Sequence, residues 1–192
     1  MKTSSLLLLL TLVAIGSIAQ SKELVAGEKA PSFTASNQRG KMVDLSDMLE
    51  QGKTVVIFYR GYWCPYCNKQ LKDYEDSLQL IKAKGANLVA ITPELPAYVQ
   101  KTIAKTKASF NIISDKDQTI MKSYGVAFTL DEQALSRLQR VGVDLKETNG
   151  NNSNMLPVPA VFVVNQKGII EYVYFDPNYR NRLSVKELLT HL

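Results

Sequence analysis

The chain has 192 residues, of which 45% are hydrophobic and 21% charged, a composition typical of one globular domain with a substantial core. The net charge is +5, but the basic residues are interleaved with acidic ones and form no dense block. Nucleic-acid binding typically shows a basic stripe with base-stacking aromatic residues, and the sequence has none, so we expect no nucleic-acid partner.

Residues 1–19 differ from the rest of the chain. Lys2 precedes an apolar stretch from Leu6 to Ala19, which is shorter than the about 20 residues that a membrane-spanning helix needs. The stretch ends in Ser17-Ile18-Ala19, the small-x-small pattern of a signal peptidase site. We therefore expect residues 1–19 to be a cleaved secretory signal peptide, with an uncleaved membrane anchor as the alternative. The mature protein is then exported, periplasmic or secreted, with no stable membrane association after signal cleavage.

The first half of the mature chain contains a β-α-β pattern. Thr54–Tyr59 is β-branched or aromatic throughout, which is typical of a central strand covered on both faces. A helix is predicted from Cys64 to Gly85, with Pro65 at its first position, and a strand at 87–92 follows it. The elements predicted before this unit are short strands at 31–34 and 42–45 around the turn 37–40, and a helix ending at Glu50 that Ser46 or Asp47 caps.

The second half continues with helices and strands. The predicted elements, in chain order, are a helix at 96–108, a strand at 111–114, helices at 118–124 and 131–139, an exposed loop at 149–154, and a β-hairpin of strands 160–164 and 169–174. Ser184 is predicted to cap a last helix that reaches His191. Residues 20–192 thus form one α/β domain.

The chain has two cysteines, Cys64 and Cys67, in the run Cys-Pro-Tyr-Cys at the predicted start of a helix. A thiol at a helix N-terminus faces unsatisfied N–H groups and the positive end of the helix dipole, which favour the nucleophilic thiolate. Cys67 lies one turn later on the same helix. We therefore predict a redox-active dithiol in which Cys64 attacks and Cys67 resolves, with Arg60 near the strand end adding positive potential.

Two other uses of the cysteines are weaker. A structural disulfide between Cys64 and Cys67 would close a very small ring and stabilise the fold by roughly 2 kcal/mol, against about 3 kcal/mol for a 15-residue loop. A chain of this size also needs no disulfide to be stable. A structural zinc site needs four ligands, and the single histidine, His191, lies near the far end of the chain. We expect no metal and no other cofactor.

The strand ending at Tyr59, followed by Trp63-Cys64-Pro65-Tyr66-Cys67, resembles the thioredoxin superfamily. More specifically, segments 58–67, 158–164 and 174–183 are similar to the peroxiredoxin-like branch of the alkyl hydroperoxide reductase/thiol-specific antioxidant (AhpC/TSA) family. The resemblance implies a thioredoxin-like fold, an α/β fold in which a central mixed β-sheet carries helices on both faces. It also implies that Pro159 is the cis residue of the cis-proline loop. Arg60, Trp63 and Pro159 become candidate substrate-binding residues.

The resemblance implies that Cys64 reduces hydroperoxides and becomes a sulfenic acid, which Cys67 resolves as a disulfide. A thioredoxin-like dithiol donor then regenerates the pair. Typical peroxiredoxins place a proline seven residues before the attacking cysteine and a threonine or serine three before it, where the hydroxyl helps to bind the peroxide. Here Ile57 and Gly61 stand at these positions. The candidates to replace the hydroxyl are Arg60, Tyr62 and Trp63.

Arg180 and Arg182 are candidates for the second arginine of peroxiredoxin sites, with a plain surface charge as the alternative.

We predict a thiol oxidoreductase, a peroxiredoxin-like peroxidase with a hydroperoxide substrate. One alternative is an exported protein-disulfide reductase or exchange protein, which the missing hydroxyl favours. The other is a non-catalytic binding module with a thioredoxin fold, which predicts a buried and unreactive Cys64.

Overall fold

A computed structural model describes residues 23–192, so the predicted signal peptide lies outside the described part of the chain. The elements, in chain order, are β1 (Thr34–Ser36), β2 (Met42–Asp44), α1 (Leu45–Glu50), β3 (Lys53–Phe58), α2 (Pro65–Asp76), α3 (Leu78–Ala83), β4 (Ala86–Thr92), α4 (Pro96–Thr106), β5 (Asn111–Ser114), α5 (Thr119–Ser123), β6 (Ala127–Thr129), α6 (Glu132–Arg140), α7 (Leu145–Asn149), β7 (Met155–Pro157), β8 (Ala160–Val164), β9 (Ile170–Phe175) and α8 (Val185–Leu188). Within residues 23–192, no helix is both long and apolar enough to cross a membrane.

The centre of the molecule is a five-stranded mixed sheet with the strand order β5-β4-β3-β8-β9. Strands β3, β4 and β5 are parallel, whereas β8 runs antiparallel to β3, and β9 antiparallel to β8. Strand β3 therefore lies in the middle, as its continuous apolar run predicts. The predicted hairpin of two strands near residues 160–175 is confirmed as β8 and β9.

Both faces of β3 are covered by helices. Successive side chains of a strand point to opposite sides, so alternate residues of β3 pack against different helices. Val55 and Ile57 pack in one core cluster with side chains of α2, α3, α4 and α8. Val56 and Phe58 pack in a second cluster with side chains of α1 and α5. This arrangement confirms the predicted thioredoxin-like architecture, a mixed sheet between two layers of helices.

The predicted helix from Cys64 to Gly85 is divided into two helices. Ser77 ends α2 and begins α3, with φ −106° and ψ 9°. Serine competes for backbone hydrogen bonds and favours helix ends, which explains the break. The predicted apolar face persists across it, since Leu71, Tyr74, Leu78 and Ile81 are all buried. The first helix also differs in its cap, because Asp44 caps α1 rather than Ser46 or Asp47.

The segment 127–157 departs most from the predictions. Strands β6 and β7 pair antiparallel, and both are only three residues long, too short for an alternating pattern to be visible. The loop predicted to be exposed at 149–154 begins at Asn149, which is buried as the last residue of α7. A small apolar cluster of this segment packs against Trp63, which brings the segment beside Cys64.

Candidate active site

Cys64 and Cys67 lie side by side at the start of α2. Cys64 is the N-cap, its Sγ accepts a hydrogen bond from the Cys67 backbone N at 3.4 Å, and Pro65 takes the first turn, as predicted. The Cys64 backbone N donates to the Gly61 carbonyl at 3.0 Å and closes the turn that follows β3. The two sulfurs are 2.6 Å apart, so little movement separates the dithiol from a disulfide. Both cysteines are free and buried.

Arg182, which lies between β9 and α8, reaches both sulfurs. Its Nη2 is 3.4 Å from Cys67 Sγ and 3.8 Å from Cys64 Sγ. Arg180 instead lies over the ring of Tyr179, 5.2 Å from the centroid. Of the two candidate arginines, Arg182 is therefore the one at the thiols. Within residues 23–192, no cluster of cysteine, histidine and carboxylate side chains is positioned to hold a metal ion.

The two thiols share their protons. The hydrogen bond with Cys67, followed by burial, raises the pKa of Cys64. Burial also opposes ionisation of Cys67, but the hydrogen bond from Cys64, the Arg182 guanidinium and the Arg60 backbone N–H together lower the pKa of Cys67 to about 6. These interactions favour a singly ionised pair in which the two sulfurs share one proton. Transfer of one proton between the touching sulfurs moves this charge to Cys64, whose attacking role stays a prediction.

Arg60 and Trp63, two predicted substrate-binding residues, contact each other beside the thiols. The Arg60 guanidinium lies between two rings, 4.8 Å from the centroid of Trp63 and 4.4 Å from that of Tyr179. Tyr179 packs edge-on against Tyr66, and both rings are partly exposed. Tyr62, the third candidate, turns its ring away toward Tyr98 on α4, with 5.5 Å between centroids. Arg60 and its aromatic neighbours thus form the rim of the site.

Gly61 has no room for a side chain. A Cβ at this position would be 2.5 Å from Glu94 Oε1 and 2.6 Å from Trp63 Nε1, closer than real Cβ contacts. The hydroxyl that typical peroxiredoxins carry three residues before the attacking cysteine therefore cannot occupy this position. A carboxyl group and an indole N–H take its place.

Glu94 is the functional candidate that our sequence analysis missed. It follows β4 by two residues and is fully buried, and its Oε2 accepts a hydrogen bond from the Tyr62 backbone N at 2.9 Å. Burial raises the pKa of Glu94 to about 8, so the carboxyl is mainly protonated at neutral pH. Glu94 lies just past the carboxyl end of a parallel strand, where α/β proteins bind ligands, and this position in the sequence could have identified it as a site residue.

Pro159 is not in the cis conformation, so this prediction was wrong. All peptide bonds within residues 23–192 are trans. The chain is held extended on the N-terminal side by the pairing of Pro157 with Ala127 and by a 2.8 Å hydrogen bond from the Val158 N to the Val126 carbonyl. It then enters β8 directly, and nothing in this extended path requires the less stable cis form. Because Ala160 pairs with Phe58, Pro159 lies at the same sheet edge as the turn leading to Cys64.

Comparison with known proteins agrees with this geometry. Residues 26–173 match the model of the AhpC/TSA family. The chain belongs to the AhpC/TSA family. It is 28% identical over 138 residues to the thiol-disulfide oxidoreductase ResA of Bacillus thuringiensis, covering 69% of this chain and 79% of the relative. It is 30% identical over 149 residues to chloroplastic peroxiredoxin Q of Populus jackii, covering 77% and 59%.

Solved structures of AhpC/TSA-type fold are similar as well. A peroxiredoxin 6 of Arenicola marina superposes with a TM-score of 0.70 at 17% identity, over 86% of this chain and 70% of that one. This similarity confirms the thioredoxin-like fold, and the family model with the peroxiredoxin relatives confirms the resemblance to the peroxiredoxin-like branch. The predicted thiol-dependent oxidoreductase is confirmed by the family and its peroxiredoxin relatives.

Proposed function

We propose that the protein is a thiol-dependent peroxidase that reduces hydroperoxides with the Cys64–Cys67 pair. The observation that carries this proposal is a buried dithiol whose sulfurs are 2.6 Å apart, with the Arg182 guanidinium 3.4 Å from Cys67 Sγ. Because both sulfurs are buried, only small molecules can reach them in the closed site. A hydroperoxide is small enough to do so. The disulfide of a folded protein is not, unless the site opens. The peroxiredoxin relatives support the same substrate class.

The reaction transfers two electrons from the pair to the peroxide. The Cys64 thiolate attacks the O–O bond, takes the distal oxygen as a sulfenic acid, and releases an alcohol or water once the leaving oxygen is protonated. Cys67 then displaces the sulfenic oxygen as water and forms the Cys64–Cys67 disulfide. A thioredoxin-like dithiol donor reduces this disulfide and is itself oxidised.

A protein-disulfide reductase is the second candidate function. It is favoured by the relationship to ResA and by the absence of a hydroxyl at Gly61. In this function the substrate would be a disulfide of another exported protein, and the exposed part of Tyr66 beside the cysteines would lie in the contact surface.

The two functions are separated by measuring two activities of the reduced mature protein. We expect consumption of hydrogen peroxide and cumene hydroperoxide, with little reduction of insulin disulfides. Cys64→Ser should abolish the activity, whereas Cys67→Ser should stop after one turnover with a sulfenic acid at Cys64, detectable by mass spectrometry after dimedone labelling. Insulin reduction without peroxide consumption would establish the second function instead. A Cys64 that resists alkylation in the reduced folded protein would exclude both.

We also propose that the protein is exported to the periplasm or secreted, with residues 1–19 removed. The support is the short apolar stretch and the Ser17-Ile18-Ala19 pattern. N-terminal sequencing of protein recovered from fractionated cells should give Gln20 as the first residue, and a chain retained in the membrane fraction with Met1 intact would contradict the proposal.

A further inference from the structure

Two buried polar atoms converge on the position that a side chain of residue 61 would occupy. Glu94 Oε1 and Trp63 Nε1 are 2.5 Å and 2.6 Å from this position. Neither atom has a hydrogen-bond partner within residues 23–192, although both are shielded from solvent. Leaving such a group unsatisfied costs free energy, and exceptions in a folded protein often mark a functional role.

The Glu94 carboxyl is held firmly although one of its oxygens has no partner. Its Oε2 accepts the Tyr62 N–H at 2.9 Å, and the Glu94 carbonyl accepts a hydrogen bond from Ser114 Oγ at 2.5 Å. The carboxyl therefore lies under the turn that carries Trp63 and Cys64, with Oε1 aimed at Gly61. Oε1 thus lies beside residue 61, the position at which typical peroxiredoxins carry their hydroxyl.

We propose that Glu94 is the acid that protonates the leaving oxygen of the hydroperoxide, and that the Trp63 indole N–H holds this oxygen during the transfer. The inference rests on the proposed peroxidase function and assigns its proton donor. As the Cys64 thiolate bonds to the distal oxygen, the O–O bond breaks and its electron pair stays on the leaving oxygen. The Glu94 proton converts this oxygen to an alcohol, or to water for hydrogen peroxide, and leaves a Glu94 carboxylate.

The resolving step returns the proton to Glu94. Cys67 still carries a thiol proton after Cys64 has been oxidised, and it transfers this proton to the Glu94 carboxylate. The resulting Cys67 thiolate attacks the sulfenic sulfur, expels hydroxide and forms the disulfide, and the hydroxide takes a proton from solvent. Reduction of the disulfide by the external dithiol regenerates one thiol and one thiolate, so protons and electrons balance over the cycle.

The surroundings of Glu94 keep its proton in place at neutral pH. Burial is the largest cause of the raised pKa of Glu94, and negative charge on Cys67 raises it further, while Lys101 and Lys105 lower it. Titratable residues that interact with Glu94 are Tyr59, Tyr62, Cys67, Tyr98, Lys101 and Lys105. A general acid works best when its pKa is close to the pH of the reaction, and a pKa of about 8 meets this condition near neutral pH.

The test compares two oxidants in single-turnover experiments. Trp63 is the only tryptophan of the chain and directly precedes Cys64, so its fluorescence reports oxidation of the pair. Cumene hydroperoxide releases a strongly basic alkoxide that needs the proton, whereas peracetic acid, measured at a pH where it is neutral, releases acetate, which does not. We expect Glu94→Gln to slow oxidation by cumene hydroperoxide by about 100-fold, within the range of general acid catalysis. Oxidation by peracetic acid should slow far less.

Glu171→Gln is the matched control. Glu171 lies on β9 and its carboxylate pairs with Lys53 Nζ at 2.8 Å on the surface, so its removal should leave both rates unchanged. Equal slowing of both oxidants by Glu94→Gln would mean that the residue only maintains the structure and would overturn the proposal. A wild-type protein that consumes no hydroperoxide would instead refute the proposed function itself.

A second measurement needs no variant and covers the case in which Glu94→Gln does not fold. The rate of wild-type oxidation by hydrogen peroxide is divided by the rate of alkylation with iodoacetamide at each pH, because alkylation needs the thiolate but no proton donor. We expect this ratio to fall as the pH rises through about 8, where Glu94 loses its proton. A ratio that stays constant across this range would contradict the assignment.

Discussion

Two buried carboxyl groups, Glu94 and Asp115, lie just past the ends of the neighbouring parallel strands β4 and β5, and the protein uses them differently. Asp115 accepts hydrogen bonds from the backbone N–H groups of Ile120 and Met121 at 3.2 Å and 2.8 Å, and so fixes the start of α5. Glu94 accepts one backbone hydrogen bond, from Tyr62, and leaves Oε1 unpaired beneath the catalytic turn. Burial raises the pKa of both carboxyl groups, but only Glu94 keeps an oxygen without a partner among the described residues, which leaves it free to meet a substrate.

The largest difference between the two acids should appear in the pH dependence of stability. The folded-state pKa of Glu94, about 8, lies above its ordinary value of 4.5, so folding favours the protonated form, and this contribution is lost as the pH rises from about 4.5 through about 8. Glu94→Gln cannot ionise. The free energy of unfolding of the variant should therefore increase relative to that of the wild type as the pH rises over this range, by about 4 kcal/mol at the alkaline end.

Urea denaturation of the reduced proteins at several pH values measures this gain. Because the cysteine pair titrates in both proteins, only the difference between them isolates Glu94. A difference that does not change with pH would mean that Glu94 is already ionised in the folded protein below neutral pH, and the contrast with Asp115 would disappear.

Asp115→Ala should mainly affect stability. The substitution leaves the buried N–H groups of Ile120 and Met121 without their acceptor, a loss of about 2 to 3 kcal/mol in the free energy of unfolding. Peroxide reduction per folded molecule should not change, because Asp115 contacts neither cysteine nor Glu94 through any hydrogen bond in residues 23–192. Thermal unfolding and single-turnover oxidation, measured on the same preparation, test both parts, and loss of activity in a fully folded variant would show that the two acids are functionally linked.

Gly61→Ser tests whether a hydroxyl at this position and the Glu94 carboxyl exclude each other. The new Cβ would be 2.5 Å from Glu94 Oε1, so the carboxyl or the indole must move. We expect a loss of about 1 to 3 kcal/mol in stability, typical of overpacking, and slower peroxide reduction even though the hydroxyl of typical peroxiredoxins has been restored. Faster reduction in the variant would indicate that the hydroxyl is sufficient and that Glu94 is dispensable.

The same contrast shows which parts of the molecule sequence patterns could predict. The central strand β3 and the Cys64–Cys67 helix start were predictable because each is encoded by contiguous residues with a strong local preference. Glu94 was not, since its place beneath residue 61 depends on the parallel pairing of Phe58 with Ile91, which brings the ends of β3 and β4 together. Arg182 could be named as a candidate, but its approach to the sulfurs depends on the path of the chain after β9.

The failed predictions have a related cause. The cis form of Pro159 came from the resemblance alone, whereas the chain passes through Pro159 in the trans form between the pairing of β6 with β7 and that of β8 with β3. The strands in segment 127–157 are too short to show a pattern by themselves, and their pairing brings together residues far apart in the chain. In each case the decisive contact joins segments that no local pattern relates.

The smallest predicted effect belongs to the positive charge of Arg182 beside the sulfurs. Arg182→Gln removes the guanidinium 3.4 Å from Cys67 Sγ, one of the causes that lower the pKa of Cys67, and should raise the pKa of the pair by about one unit, which corresponds to roughly 1.4 kcal/mol. Thiolate absorbance during a pH titration measures this shift, and alkylation below neutral pH should slow in proportion. Arg180→Gln is the control, because Arg180 lies over Tyr179 and should leave the titration unchanged. Equal titration curves for all three proteins would mean that Arg182 does not help to hold the thiolate and that the backbone N–H groups at the start of α2 suffice.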